Sequence, residues 1–346
     1  MDRDMFPENR FAIFLRGTIS VLLLGLGQVP LRAQVPAGTA GAVPAAPQVR
    51  LYRISPDTDL EVSKPDFRGQ LKGSPHDYGT FLKNGFSRKN LPWLAAVAGS
   101  TALLIVYDQK IYNNTVRAGK KLNIARQDKT KAFIKLGKLP IFRGPTDLGS
   151  AMYFIGDGWV TVGLISSFEI YGSLKDDWRA VRTAHDLLEG MLLAGVTTQA
   201  LKRVTGRETP SAATKPRGVW RFFPNEGAYF AHQTRYDAFP SGHVANALMA
   251  VTVMADNYPE KKYIKPVGYS LIGVLGFQMV NNGVHWASDY PLAIAIGYPV
   301  GKLVAAHGKR KVKRDGSPQQ DARSALKFHP VVLRDATLAP GLAYVF

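Results

Sequence analysis

The sequence predicts an all-α protein, a helical bundle of about six core helices. Three observations predict it. From Leu91 on, six apolar segments follow one another, at about 91–107, 150–171, 185–203, 243–256, 264–281 and 288–306. Each is long enough for a helix, and several are too long for ordinary strands. Gly and Ala are frequent within them, which lets helices pack closely, and the positive charge is spread over the connecting segments.

The chain divides into four stretches. Residues 1–33 read as an export signal: Arg3, Arg10 and Arg16 precede the apolar run Ile19 to Gly27, and Leu31-Arg32-Ala33 offers a cleavage site before Gln34. Phe11 to Leu15 lengthen the apolar run, so an uncleaved anchor helix is the alternative. Both destinations are the cell envelope, periplasmic or membrane-associated. Residues 34–90 form a leader and a polar extension. Its first part, 34–48, is rich in Ala, Pro and Gly, carries no charge and reads as flexible. Its second part carries Pro56, Pro65 and Pro75, which leave room for short strands or turns but not for a long helix. Residues 91–306 are the helical domain. Residues 307–346 are a basic segment, His307 to Arg314, and a tail. Within the tail, 329–346 has strand character and is expected to pack against the 49–55 region.

Composition excludes several classes. The 346 residues include no cysteine, so disulfides and thiolate metal sites are ruled out. The seven histidines show no ligand spacing such as H-x-x-x-H, so no metal and no other cofactor is expected. A net charge of +18 suits nucleic acid, an anionic membrane surface or a phosphorylated substrate. No recognition helix, zinc finger or aromatic–basic RNA motif accompanies it, so nucleic acid is not an expected partner. A membrane or its surface is. Whether the helices span it stays open. Segments 91–107 and 264–281 approach the roughly 20 residues of a span. Asp157, the His185-Asp186-Glu189 cluster, Pro291, Pro299 and a mean hydropathy of −0.08 point to a bundle resting on the surface.

The unusual residues collect at helix ends. Lys202 and Arg207 flank Gly206, a helix C-cap, with Pro210 preventing resumption. Ser241 in Phe239-Pro240-Ser241-Gly242-His243 is an N-cap, and the unpartnered first-turn N–H groups behind it suit an anion. Gly242 lets a ligand approach the backbone, and His243 can give a proton to an oxygen leaving that anion. His285 and Asp289 are four residues apart, so a helical turn brings them to one face. A carboxylate on one ring nitrogen fixes the tautomer and frees the other to attack. Read singly, each has a bland counterpart: dipole-complementing cations, a capped helix, a helix-start acid. Together and in order, they supply the cations, amide cradle, proton donor and oriented nucleophile of phosphoryl transfer through a covalent intermediate.

Over about residues 90–305 this pattern resembles the type 2 phosphatidic acid phosphatase superfamily, which includes lipid phosphate phosphatases, class A acid phosphatases and vanadium haloperoxidases. The resemblance implies an acid phosphatase/haloperoxidase-like helical fold and a metal-independent phosphohistidine mechanism. It implies His285 as nucleophile, Asp289 as its orienting acid and His243 as proton donor, with Lys202, Ser241, Gly242 and Arg207 holding the phosphate. The substrate implied is a phosphorylated lipid, a lipid pyrophosphate or a small phosphoester.

Two positions depart from the family pattern. Thr209 stands where the first block carries Arg before Pro, and Met279 stands where the third block carries Arg. Each missing charge-assisted contact is worth about 1.5–3 kcal/mol. Replacement is expected from Lys215, Arg217, Arg221 or Arg235. A catalytically weak or inactive anion-binding envelope protein is the alternative function.

Overall fold

The computed structural model describes residues 48–127, 129–136, 139–314, 325–332 and 338–345. The expected signal, and the leader up to residue 47, lie outside these residues. Strands β1 (Val49–Arg53) and β2 (Thr58–Ser63) open the described chain, and helix α1 (Phe67–Gly85) follows. This helix corrects the expectation that 49–90 holds none of length. Asp66 caps it by accepting from the Gly69 N–H at 3.0 Å. Polar bonds then dock it: Gln70 donates to Asp186 and Glu189, and Ser74 donates to Glu189. Tertiary contacts of this kind override the local cost of Pro75.

Helix α2 runs from Leu91 to Lys121, well past the apolar boundary at 107. A β3–β4 hairpin (Thr130–Leu136 and Leu139–Pro145) leads to α3 (Leu148–Phe154) and α4 (Gly158–Lys175). These two helices meet at a 66° bend. Asp157 stands at the bend and caps α4 by accepting from the Trp159 N–H, which accounts for an acid inside an apolar segment. Helix α5 (Trp178–Thr205) starts at the N-cap Asp177 and stops at Gly206, whose φ of +52° a side chain would strain. After a short α6 (Glu226–Ala231) come α7 (Gly242–Asn257), α8 (Ile264–Asn281) and α9 (Tyr290–Ala305).

The core lies where α5, α7, α8 and α9 meet, and Leu187, Met249, Leu275, Met279 and Val300 are fully buried in it. Close approach of α9 to α7 depends on Gly297, where a Cβ would fall 2.3 Å from the Ala245 carbonyl oxygen. Strand β5 (Lys309–Lys313) pairs with β2, giving an antiparallel sheet of order β1-β2-β5. The tail forms a separate hairpin, β6 (Ala325–Val332) with β7 (Leu338–Val345). The ladder partner of β1 is β2, joined to it by a short turn.

The bundle has two poles. The sheet lies at the start of α5, where the Arg179 N–H donates to the Tyr52 hydroxyl and Lys309 pairs with Asp186. The end of α5, the start of α7, the end of α8 and the start of α9 meet at the other. Among the described residues one helix, Arg88–Lys121, is long and apolar enough to cross a membrane, with a mean hydropathy of 1.5 and none of that window buried. The bent α3–α4 pair would be a second span.

Candidate active site

Ser241 caps α7 by accepting from the Val244 N–H at 3.4 Å, and its own N–H donates to the Asp289 carbonyl oxygen at 3.1 Å. That bond ties the start of α7 to the start of α9. It brings His243 and His285 together, with ring centroids 6.3 Å apart at 68°. The ring of Tyr153 on α3 also lies against His243, with centroids 4.9 Å apart.

His285 is 1% exposed. Its Nδ1 faces two acceptors, the Ala238 carbonyl oxygen at 2.6 Å and Asp289 Oδ2 at 3.3 Å. Both are acceptors, so Nδ1 carries a hydrogen, and in the neutral ring the lone pair is on Nε2. Asp289 is held on both oxygens: Oδ2 accepts from the Trp286 N–H at 2.7 Å, and Oδ1 accepts from Arg207 Nη1 at 2.6 Å.

Lys202, 5% exposed, points its Nζ at Asp237 Oδ2, 3.0 Å away. A Cβ on Gly242 would stand 4.0 Å from that Nζ, so the first backbone turn of α7 and the Lys202 cation border one space. Lys202, Ser241, Gly242, His243, His285 and Asp289 thus converge at one pole.

Arg207 does not share that space, and its expected place on the phosphate is corrected. Its side chain is fully buried behind Asp289, where Nη2 pairs with Asp108 at 2.7 Å and Nη1 with Asp289. Trp220 covers it at 4.7 Å and Trp286 at 5.4 Å. A guanidinium with two carboxylate partners is already neutralised. Of the four replacement cations, Arg221 pairs with the buried Glu208 at 2.7 Å, and the Arg217 carbonyl accepts from Arg207. Burial pushes the Glu208 carboxyl up, but the N–H groups of Thr214 and Val219 and the Arg221 cation more than offset this and hold it low. Met279 lies in the core, and its neighbour Gln278 donates to the Ala125 carbonyl oxygen and to Asn282.

Sequence reasoning missed Asp108, Ser288 and Asp237. Asp108 carried a usable signal, an acid directly after an apolar helical run. Asp237 carried none, because its pairing with Lys202 depends on how the segment after α5 folds back.

A second cluster, Asp77, Glu189 and His307, lies at the sheet pole. The Nε2 of His307 faces Asp77 and its Nδ1 faces Glu189, each at 3.4 Å. Each ring nitrogen has a carboxylate beside it, and one ligand atom from each of the three residues lies within 4.8 Å of the others. Glu189 hydrogen bonding raises the His307 pKa above its ordinary value, against the opposing effect of burial.

Fold and site together define a helical protein with an oriented histidine facing a second histidine at a capped helix start. Residues 183–312 match the model of the PAP2 superfamily. An 85-residue stretch is 32% identical to the lipid A 1-phosphatase of Porphyromonas gingivalis; it covers 23% of this chain and 19% of that protein's length. Two solved structures are similar. Aquifex aeolicus LpxE is 20% identical with a TM-score of 0.33, over 45% of this chain and 82% of that one. The first transmembrane PAP2 type phosphatidylglycerolphosphate phosphatase from Bacillus subtilis is 16% identical with a TM-score of 0.39, over 63% and 94%.

Proposed function

We propose that this protein is a lipid phosphate phosphatase of the cell envelope that works through a phosphohistidine at His285. One observation carries the reading: His285 presents Nε2 with Nδ1 locked by Ala238 and Asp289, while His243 faces it across 6.3 Å. Nε2 attacks phosphorus, the bond to the leaving oxygen breaks, and His243 supplies that oxygen with a proton. Water then attacks the phosphohistidine, His243 takes its proton, and inorganic phosphate leaves. Lys202 and the first N–H groups of α7 stabilise the charge on the non-bridging oxygens.

A lipid phosphate or lipid pyrophosphate as substrate is supported by the matched lipid A 1-phosphatase and by the exposed apolar surface of α2. The export signal read at residues 1–33 supports envelope location.

The test is phosphate release by the purified protein in detergent from phosphatidic acid and undecaprenyl diphosphate. Release is expected, and His285→Ala abolishes it. Activity that survives this change removes the nucleophile assignment. A folded protein that releases no phosphate from either lipid overturns the phosphatase reading.

A further inference from the structure

Helix α2 buries only Asp108 and Gly119 of its residues, while Leu103, Val106 and Tyr107 are exposed. An ionisable side chain in a helix this apolar is costly unless it faces the bundle and is paired. Asp108 does both. Its Oδ2 accepts from Arg207 Nη2 at 2.7 Å, its Oδ1 accepts from the Ser288 N–H at 3.1 Å, and the Ser288 hydroxyl donates to it as well. Arg207 Nη1 meanwhile donates to Asp289 and to Ser288 Oγ, both at 2.6 Å. One buried guanidinium therefore bridges an acid on α2 and the acid that orients His285.

We infer that Asp108 is a positioning residue for the His285 nucleophile, acting through Arg207 and Asp289. The inference rests on the phosphatase reading above. Geometry gives the first part of the role. Asp108 fixes Arg207 and Ser288, these fix Asp289, and Asp289 fixes the imidazole. Charge gives the second. Arg207 alone would neutralise Asp289. Sharing Arg207 with Asp108 leaves the buried cluster net negative beside His285. That charge supports the positive ring that forms as Nε2 bonds to phosphorus and the leaving oxygen departs with the His243 proton. The competing role for Asp108 is docking of α2, with no effect on chemistry.

The experiment measures phosphatidic acid hydrolysis by the full-length protein in detergent, as wild type, Asp108→Asn, Asp289→Asn and the double variant. Asp108→Asn is expected to lower kcat about 10- to 100-fold with KM within about twofold. In the Asp289→Asn background the same change is expected to cost nothing further, because its route of action is already cut. Equal losses in both backgrounds, or wild-type kcat per folded molecule in Asp108→Asn, overturn the inference. Should Asp108→Asn not fold, Ser288→Ala keeps every charge and removes one anchor. Its kcat is expected to fall about 3- to 10-fold, again only with Asp289 intact, and an unchanged kcat overturns the inference. A wild type that releases no phosphate overturns the phosphatase reading and the role of Asp108 with it; an active wild type with unaffected variants overturns the role alone.

Discussion

The rings of His243 and His285 face each other across 6.3 Å, one from the first turn of α7 and the other from the segment before α9. A phosphorus bonded to Nε2 of His285 would place its leaving oxygen on the His243 side. The need for His243 then scales with the basicity of the leaving group. His243→Ala is expected to lower kcat for an alkyl phosphate about 10²- to 10⁴-fold, and far less for a nitrophenyl phosphate, whose oxygen leaves without a proton. Steady-state rates on the two ester classes check this. Equal losses on both would remove the proton-donor role.

A Cβ on Gly242 would point toward the Lys202 cation, 4.0 Å from its Nζ. A methyl group at 242 meets nothing closer than 3.7 Å, so Gly242→Ala should fold and melt at or slightly above the wild-type temperature. It should nonetheless raise KM roughly tenfold by displacing the phosphate from the backbone N–H groups. Calorimetry and kinetics on one preparation separate the two effects.

On the proposed reading, Asp237 competes with substrate for Lys202. Replacing it with Asn keeps an acceptor for the Tyr229 hydroxyl but removes the charge. Affinity for orthovanadate or phosphate is expected to rise roughly two- to fivefold in Asp237→Asn, the scale of a partly exposed ion pair. Titration calorimetry reads this, and an unchanged affinity would show that Asp237 yields to the anion without cost.

His307 makes the sheet pole sensitive to pH. Its folded pKa is raised, chiefly by the hydrogen bond to Glu189, so protonation and folding favour each other. The stabilisation is fully present below about pH 6.5, the ordinary histidine value, and fades as pH rises through the raised folded value. His307→Gln should therefore melt below wild type at pH 5.5, and the gap should narrow toward pH 8. A gap that stays constant with pH would mean His307 contributes by packing alone.

Much of this was legible in the sequence, for physical reasons that can be named. Apolar runs marked the helices because burial against neighbours is what stabilises them. Ser241 and Gly206 marked helix ends because caps require those residue types. Helix α1 was missed although Phe67, Leu71, Tyr78 and Phe81 keep a helical spacing and the last two pack against the core, because Pro75 and the polar residues around it argue against a long helix. The true position of Arg207 was missed as well. Its distance from the Lys202 motif suggests a phosphate contact, but the partner that draws it away, Asp108, lies far back along the chain on α2.

Helix α5 runs 28 residues, about 42 Å at 1.5 Å per residue, from the sheet to the site. A bilayer's hydrocarbon core is thinner than that, at about 30 Å. Held upright in such a layer, the molecule would show its stitched strands to one compartment and its histidines to the other. A protease clipping Lys309–Lys313 and a lipid headgroup reaching His285 would then arrive from opposite sides, which makes limited proteolysis of sealed vesicles a direct readout of which way the chemistry faces.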